Sequence, residues 1–496
     1  MKKTKKAILV FVLFAVFSSF AACGENEKKP DSGAAGDDLA ENADAGTNEE
    51  PQIDFASLPA ADYGGADFNI ANLSGYDWCD TTLDVEAEET GDILNDAIYK
   101  RNQAVAEKYN VKLNFIDIPH SQISGKVKNQ MLAGASEYEM MQAPMRYDVM
   151  PLSVDNFIAD ANKLDQSGLL DLSNPWWDQF ANSSMSICKK IFYLFGDFTL
   201  ADKEYSTAIL FNAAMQKEYG MPDFYQIVRE GDWTLDTMLG FMRTATKDLD
   251  GDGKWTKEDQ FGLVSNVNSS HQLFYGMGET MVKKDGDDVP YWVIGEEAFI
   301  YAYDKVWQFL HTDNAAFDAM SNGSHQDEMF ADGKALFDCT LLAAVRAPKT
   351  TSMRGVDFEF GLLPSPKLDA SQERYYNYLD YSTPCMAIIN NDGERLACSA
   401  QILEALNARS GEVQQTYMQY ALPLKYFRDE QSFEMFDIMM SHRIFDIAGV
   451  YNWGGFVDKI RADLSGKKPD TLVSCIEANL SKAQMAMEET LGKILD

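Results

Sequence analysis

Asp248, Asp250, Asp252, Thr256 and Asp259 occupy steps 1, 3, 5, 9 and 12 of the stretch DLDGDGKWTKED. Calcium takes about six to eight oxygen ligands, and this spacing wraps side-chain oxygens around one centre. Gly253 falls where such a loop turns sharply, and Lys254 would offer its backbone carbonyl. The twelfth step is an Asp, shorter than the Glu that binds bidentately in an EF-hand. A calcium sensor needs paired helices that open a Met-rich groove. Here one loop stands alone, between the helical pattern TLDTMLGFMRTATK and the strand-like FGLV. The expectation is therefore a structural Ca2+ held by Asp248, Asp250, Asp252, Lys254, Thr256 and Asp259.

The aromatic residues suggest a second chemistry. Tryptophans occur beside Asp, Asn or Gly in GYDWCD, NPWWDQ, GDWTLD and YNWGGF. An exposed indole stacks on the C–H face of a sugar while neighbouring amides and carboxylates take the hydroxyls. Trp78 and Trp453 are the cleft candidates on these grounds, whereas Trp307 in YDKVWQFL reads as core. Catalytic patterns are thin. The five histidines form no zinc-binding pair, and nucleophile elbows and phosphate-binding glycine loops are missing. No two of the 77 acidic residues stand out as a glycosidase pair. A non-enzymatic protein is expected.

The N-terminus carries an address. Lys2, Lys3, Lys5 and Lys6 precede AILVFVLFAVFSSFAA, too short for a comfortable membrane span, which ends in FAAC. This resembles the lipobox of bacterial lipoproteins. Residues 1–22 would be removed as a signal peptide and Cys23 lipidated. The acidic run that follows holds too little apolar surface to fold, so residues 23–62 are expected to be the lipidated cysteine and a disordered linker. A formal net charge of -34 disfavours nucleic acid as a partner. The body should lie outside the cytoplasmic membrane. The six other cysteines are widely spaced, without a CxxC pair, and read as thiols or disulfides.

These residues need elements to position them. Ala66–Leu73 reads as a strand, Asp92–Asn110 as a helix and Val111–Ile118 as a strand; GKVKNQMLAG reads as a helix and Tyr138–Pro144 as a strand. That rhythm implies a helix-covered, mostly parallel sheet. KIFYLFGDF, YSTAILFN, Phe358–Lys367 and Ser382–Asn390 are further strand-like runs, and the chain after Asp392 is mainly helical. The class is α/β.

Seven stretches in order, from DILNDAIYKRNQAVAEKYNVKL through NPWWDQ, YSTAILFNAAMQKEYG with GDWTLDTM, the Asp-rich loop, MFADGKALFDCTLLAAV, DFEFGLLPSPKLDASQERYY and MMSHRIFDIAGVYNWGGF, resemble one family. It is the maltose-binding-protein-like, sugar-type branch of the extracellular solute-binding lipoproteins of bacterial ABC importers. The resemblance implies two α/β lobes joined by a hinge, with lobe 1 at 63–170 plus 386–427 and lobe 2 at 171–385 plus 428–496. It implies capture of a mono- or oligosaccharide and delivery to ABC permease subunits, with attachment to the membrane through the lipid on Cys23. It places Tyr76, Asp77, Trp78, Arg146, Tyr147, Trp177, Asp197, Tyr381, Ser382, Asn452 and Trp453 at the ligand. A calcium-dependent surface adhesion module and a surface glycan hydrolase are the alternatives.

Overall fold

The structure, a computed structural model, describes residues 55–75, 88–135, 137–345, 353–427, 429–466 and 471–495. In chain order its strands are β1 (Ala66–Ser74), β2 (Val111–Pro119), β3 (Met140–Pro144), β4 (Thr207–Asn212), β5 (Phe261–Ser265), β6 (Val282–Lys284) and β7 (Pro290–Trp292). Then come β8 (Ala316–Asp318), β9 (Ala335–Leu341), β10 (Phe360–Leu363), β11 (Asn377–Tyr378), β12 (Pro384–Ile388) and β13 (Arg443–Ile444).

Two sheets organise the chain. The first has the order β12-β3-β1-β2 and the second β10-β4-β9-β5-β8. Each is mixed. β1 runs parallel to β2 and β3, while β12 returns antiparallel to β3. β5 runs parallel to β8 and β9, while β4 is antiparallel to both its neighbours. Many helices flank the sheets, giving the expected two-lobed α/β architecture.

Local sequence explains the pieces. The helix Ile93–Tyr109 starts where the Asp92 side chain accepts from the amides of Leu94 and Asn95, and ends at left-handed Asn110. Such a cap is worth about 1 kcal/mol. Its Val105 and Tyr109 pack with Phe68, Ile70 and Met140 of the first sheet and with Ile402 and Leu406 of the helix Gly393–Ala408. The neighbouring Met141 belongs to the other face, with Ile118 and Val127. A sheet buried on both faces reads as continuous apolar runs rather than alternation, as β3 and β12 do.

Two of the segments that pass from one sheet to the other, ahead of β4 and ahead of β12, run side by side. Ser206 and Leu379 form an isolated antiparallel bridge. The Asn377 side-chain amide donates to the Thr207 carbonyl at 2.8 Å, and the Thr207 hydroxyl to the Tyr378 carbonyl at 3.2 Å. This pair of segments forms part of the hinge region.

One expected strand differs. KIFYLFGDF forms only isolated bridges, such as Leu194 with Met386 and Trp177 with Gly196. Side chains satisfy much of its backbone. Asn182 both accepts from the Phe195 amide and donates to its carbonyl, and Asn407 accepts from Phe198. An apolar run shows that a segment is buried, not who satisfies its polar groups. Cys188, Cys339, Cys385, Cys398 and Cys475 are free thiols.

Candidate functional site

The carboxyl ends of both sheets face one cavity of about 390 Å³. The first sheet contributes His120, just past β2, and Tyr147, just past β3. The second contributes Asn266 and Gln272 after β5, with Thr340 and Leu341 at the end of β9. The hinge supplies Tyr205 and Asp380–Ser382, and the helix Phe456–Ser465 supplies Arg461. Ligands of open α/β sheets bind at such carboxyl edges, where loops replace the hydrogen-bonded ladder.

Asn266 shows how sequence builds one wall. Its side chain accepts from the amides of Asn268 and Ser269, while the Ser269 hydroxyl accepts from the Asn266 amide. This capping box starts a helix right at the strand end, so Ser269 and Gln272, one turn on, meet the cavity. The Gln272 side-chain amide donates to Asp380 at 3.3 Å. Asp380 also accepts from the amide and hydroxyl of Ser382.

Tyr381 is the centre of a cluster of charged and aromatic side chains. The Arg146 guanidinium lies 4.6 Å from its ring centroid, Arg461 lies 5.9 Å away, and Tyr147 meets it edge-on at 6.3 Å. Arg461 donates to its hydroxyl. Burial, then the nearby Asp380, holds the Tyr381 phenol above its ordinary value, so it stays neutral. Both arginines converge on Asp458, at 2.6 Å from Arg146 and 3.1 Å from Arg461, and Asn452 donates to the same carboxylate at 2.8 Å. Beside Tyr381, His271 is fully enclosed. Burial, then the two guanidinium groups, pushes it down to about 3, so it is neutral and serves packing against Tyr275 and Tyr378.

The residues singled out from sequence divide into groups. Tyr147, Tyr381 and Ser382 line the cavity, and Arg146 stacks on the Tyr381 ring. Asn452 acts one contact away, through Asp458. Trp177 is buried with its indole N–H donating to Glu404, and Trp453 is buried, stacked on Tyr451 at 5.1 Å with Trp292 at its edge. Asp197 is half-buried beside Trp176, its carboxyl pushed up to about 6, mainly by burial. Tyr76, Asp77, Trp78 and Cys23 lie outside the described residues. Sequence reasoning missed His120, Asn266, Gln272, Gln326, Asp327, Thr340, Asp380 and Arg461. For Asn266 and Thr340 the usable signal is a polar residue ending an apolar strand.

The Asp-rich loop lies between the helix Leu235–Ala245 and β5, pinned at its base by the Lys247–Gln260 bridge. Asp248, Asp250 and Asp252 bring carboxylate oxygens within 4.8 Å of one another. Asp248 accepts from the amides of Gly251 and Gly253, and the Gly253 bond above all holds its carboxyl below the usual range. Asp259 is buried and accepts from the amides of Leu249 and Thr256, tying the loop's two ends. The Lys254 ammonium lies 3.3 Å from Asp252. Clustered carboxylates on a preformed turn suit a hard, oxygen-seeking cation, with Asp259 already committed to the loop's own amides.

No family model matches the chain, and no curated protein matches it in sequence. Solved structures do. The sugar-binding protein MalE of Xanthomonas citri superposes with a TM-score of 0.57 at 12% identity, over 86% of this chain and 98% of that one. An ABC substrate-binding protein of Listeria monocytogenes in complex with cycloalternan gives 0.53 at 11%, over 87% and 98%. A sugar transporter from Rhizobium etli in an open conformation gives 0.53 at 12%, over 86% and 99%. The fold is thus the two-lobed α/β fold seen in ABC substrate-binding proteins.

Proposed function

We propose that this chain is an extracytoplasmic solute-binding protein. It captures a small solute, a mono- or oligosaccharide, between its lobes and delivers it to an ABC permease, and it works without catalysis. The carrying observation is the cavity at the carboxyl ends of both sheets, spanned by the hinge region and lined by amides, hydroxyls and tyrosine rings. Closure of two lobes on a ligand stabilises the closed form by its contacts to both. The solved proteins of this fold named above as sugar binders favour a carbohydrate. In this reading Cys23 carries the lipid that tethers the protein, residues 23–62 are the spacer, and the Asp-rich loop holds a structural Ca2+ remote from the solute.

Thermal-shift screening of the protein against mono- and oligosaccharides, peptides and polyamines tests the reading. A true solute at 100 times its Kd stabilises the fold by about 2.7 kcal/mol. Absence of any stabilising solute, or turnover of a glycan, would count against it. Mass spectrometry of the protein from its native membrane tests the lipid on Cys23.

A further inference from the structure

One wall of the cavity is rich in acceptors that no donor satisfies. Asp327 Oδ1, Gln272 Oε1 and Gln326 Oε1 are buried without a hydrogen-bond partner. All three residues line the cavity and are almost fully buried. The Gln272 orientation follows from its neighbour, because its Nε2 faces the Asp380 carboxylate.

Behind this wall stands another acid. Asp338 lies on β9 two residues before Thr340, on the same face, and is fully buried. Burial, then Asp327, pushes its carboxyl well above the ordinary value. Asp338 Oδ1 and Oδ2 are likewise buried without a hydrogen-bond partner, which adds to the unmet acceptors on this wall. Of the two, Asp327 is the one that meets the cavity. The His325 ring lies on the carboxylate's other oxygen, with Nδ1 3.4 Å from Asp327 Oδ2.

Arg461, another lining residue, has the reverse polarity. Arg461 Nε is buried and unpartnered, and the rest of its guanidinium reaches Tyr381, Asn268 and Asp458. A buried acceptor left unmet costs about 1–3 kcal/mol, and more when the group is a carboxylate, so a bound donor should answer the three on Asp327, Gln272 and Gln326. A sugar hydroxyl brings one donor and no charge, and its own oxygen then needs a donor. An ammonium brings a positive charge and three donors, with no acceptor to satisfy.

We infer that the solute carries a primary ammonium group that docks on Asp327, with Gln272 and Gln326 as its further acceptors. The inference rests on the cleft being the solute site. The chemistry of recognition is shared by an amino sugar and by the amine of a peptide or polyamine.

Calorimetric titration of the full chain at pH 7 decides between these. The ligands are a glucosamine oligomer, its fully N-acetylated counterpart, a neutral glucose oligomer of equal length, a lysine-containing dipeptide and spermidine. The expected result is binding of an amine at least about tenfold tighter than its N-acetylated or neutral counterpart, with the amine arm that binds naming the source. In Asp327→Asn that preference should vanish, with the melting temperature in the absence of ligand checking that the variant is folded. Should Asp327→Asn not fold, the comparison of amine and N-acetyl forms on the unaltered protein still decides. Equal or tighter binding of the neutral or acetylated oligomer overturns the ammonium and leaves the cleft reading standing. No binding of any amine overturns the ammonium, and the broader thermal-shift screen then decides whether the cleft reading falls with it.

Discussion

Arg146 and Asp458 are 312 positions apart in the chain and 2.6 Å apart in space. Arg146 follows β3 of the first sheet, and Asp458 sits on the helix Phe456–Ser465, which packs against the helix that follows β5 of the second. The contact ties the two walls of the cleft and braces Tyr381 between two guanidinium groups. Asp458→Asn should weaken solute binding and lower stability by about 1–2 kcal/mol, less than for a buried charged bond because Asp458 is 41% exposed. Arg146→Met should cost more solute affinity, since it also bares the Tyr381 ring. Urea unfolding and titration of the identified solute would measure both. Unchanged affinity in Arg146→Met would mean that the brace does not shape the cleft.

Glu404 is the hub of the first sheet's helical layer. Its carboxylate accepts from the indoles of Trp176 at 2.8 Å and Trp177 at 3.1 Å, the Asn174 side-chain amide at 2.8 Å and the Asp171 backbone at 3.3 Å. Removing a buried acceptor strands every donor at once, so Glu404→Ala should destabilise the fold by about 3 kcal/mol or more. Glu404→Gln keeps one carbonyl oxygen and should cost roughly half as much. Chemical denaturation followed by tryptophan fluorescence reads both.

The buried acids set an unusual pH dependence. Burial lifts the Asp148 carboxyl to about 7, and burial likewise lifts Asp197 and Asp446 to about 6. Each is therefore protonated in the fold over a range where the unfolded chain, with acids near pKa ~3.9, has lost the proton. The native state then binds more protons, so stability falls as pH rises from about 4 to 7. The melting temperature should be higher at about pH 5 than at about pH 7.5, and Asp148→Asn should flatten the slope most. A melting temperature that rises over this interval would contradict the assignment.

Calcium should act locally. In millimolar Ca2+ the melting temperature should rise, and Asp248→Ala with Asp252→Ala should remove that rise while leaving solute selectivity as it was. Chelation of the unaltered protein should reproduce the double variant. A lost solute preference without a change in melting temperature would reverse the structural role.

Sequence periodicity located β1, β2, β3, β4, β5 and β12 and the helix at Ile93–Tyr109, because apolar spacing is dictated by which face is buried. It did not show which strands return antiparallel, since strand direction depends on partners distant in sequence. Tyr147 was placed by the rule about carboxyl ends, and Tyr381 and Ser382 by their position near a crossing between the lobes; all three line the cavity. Periodicity could not tell an exposed tryptophan from a buried one. Trp177 and Trp453 sit beside polar residues in sequence, yet their indoles turn into the core. Asp327 and Asp338 were invisible among 77 acids, because burial of a charge has no local signature.

Both main sheets are complete once Ile388 has been made, yet Arg461 comes later, on a helix that follows β13. The cavity therefore draws one of its charged lining residues from the part of the chain made after both sheets. The sheets are settled by earlier sequence, and the guanidinium charge at the cavity is set by later sequence.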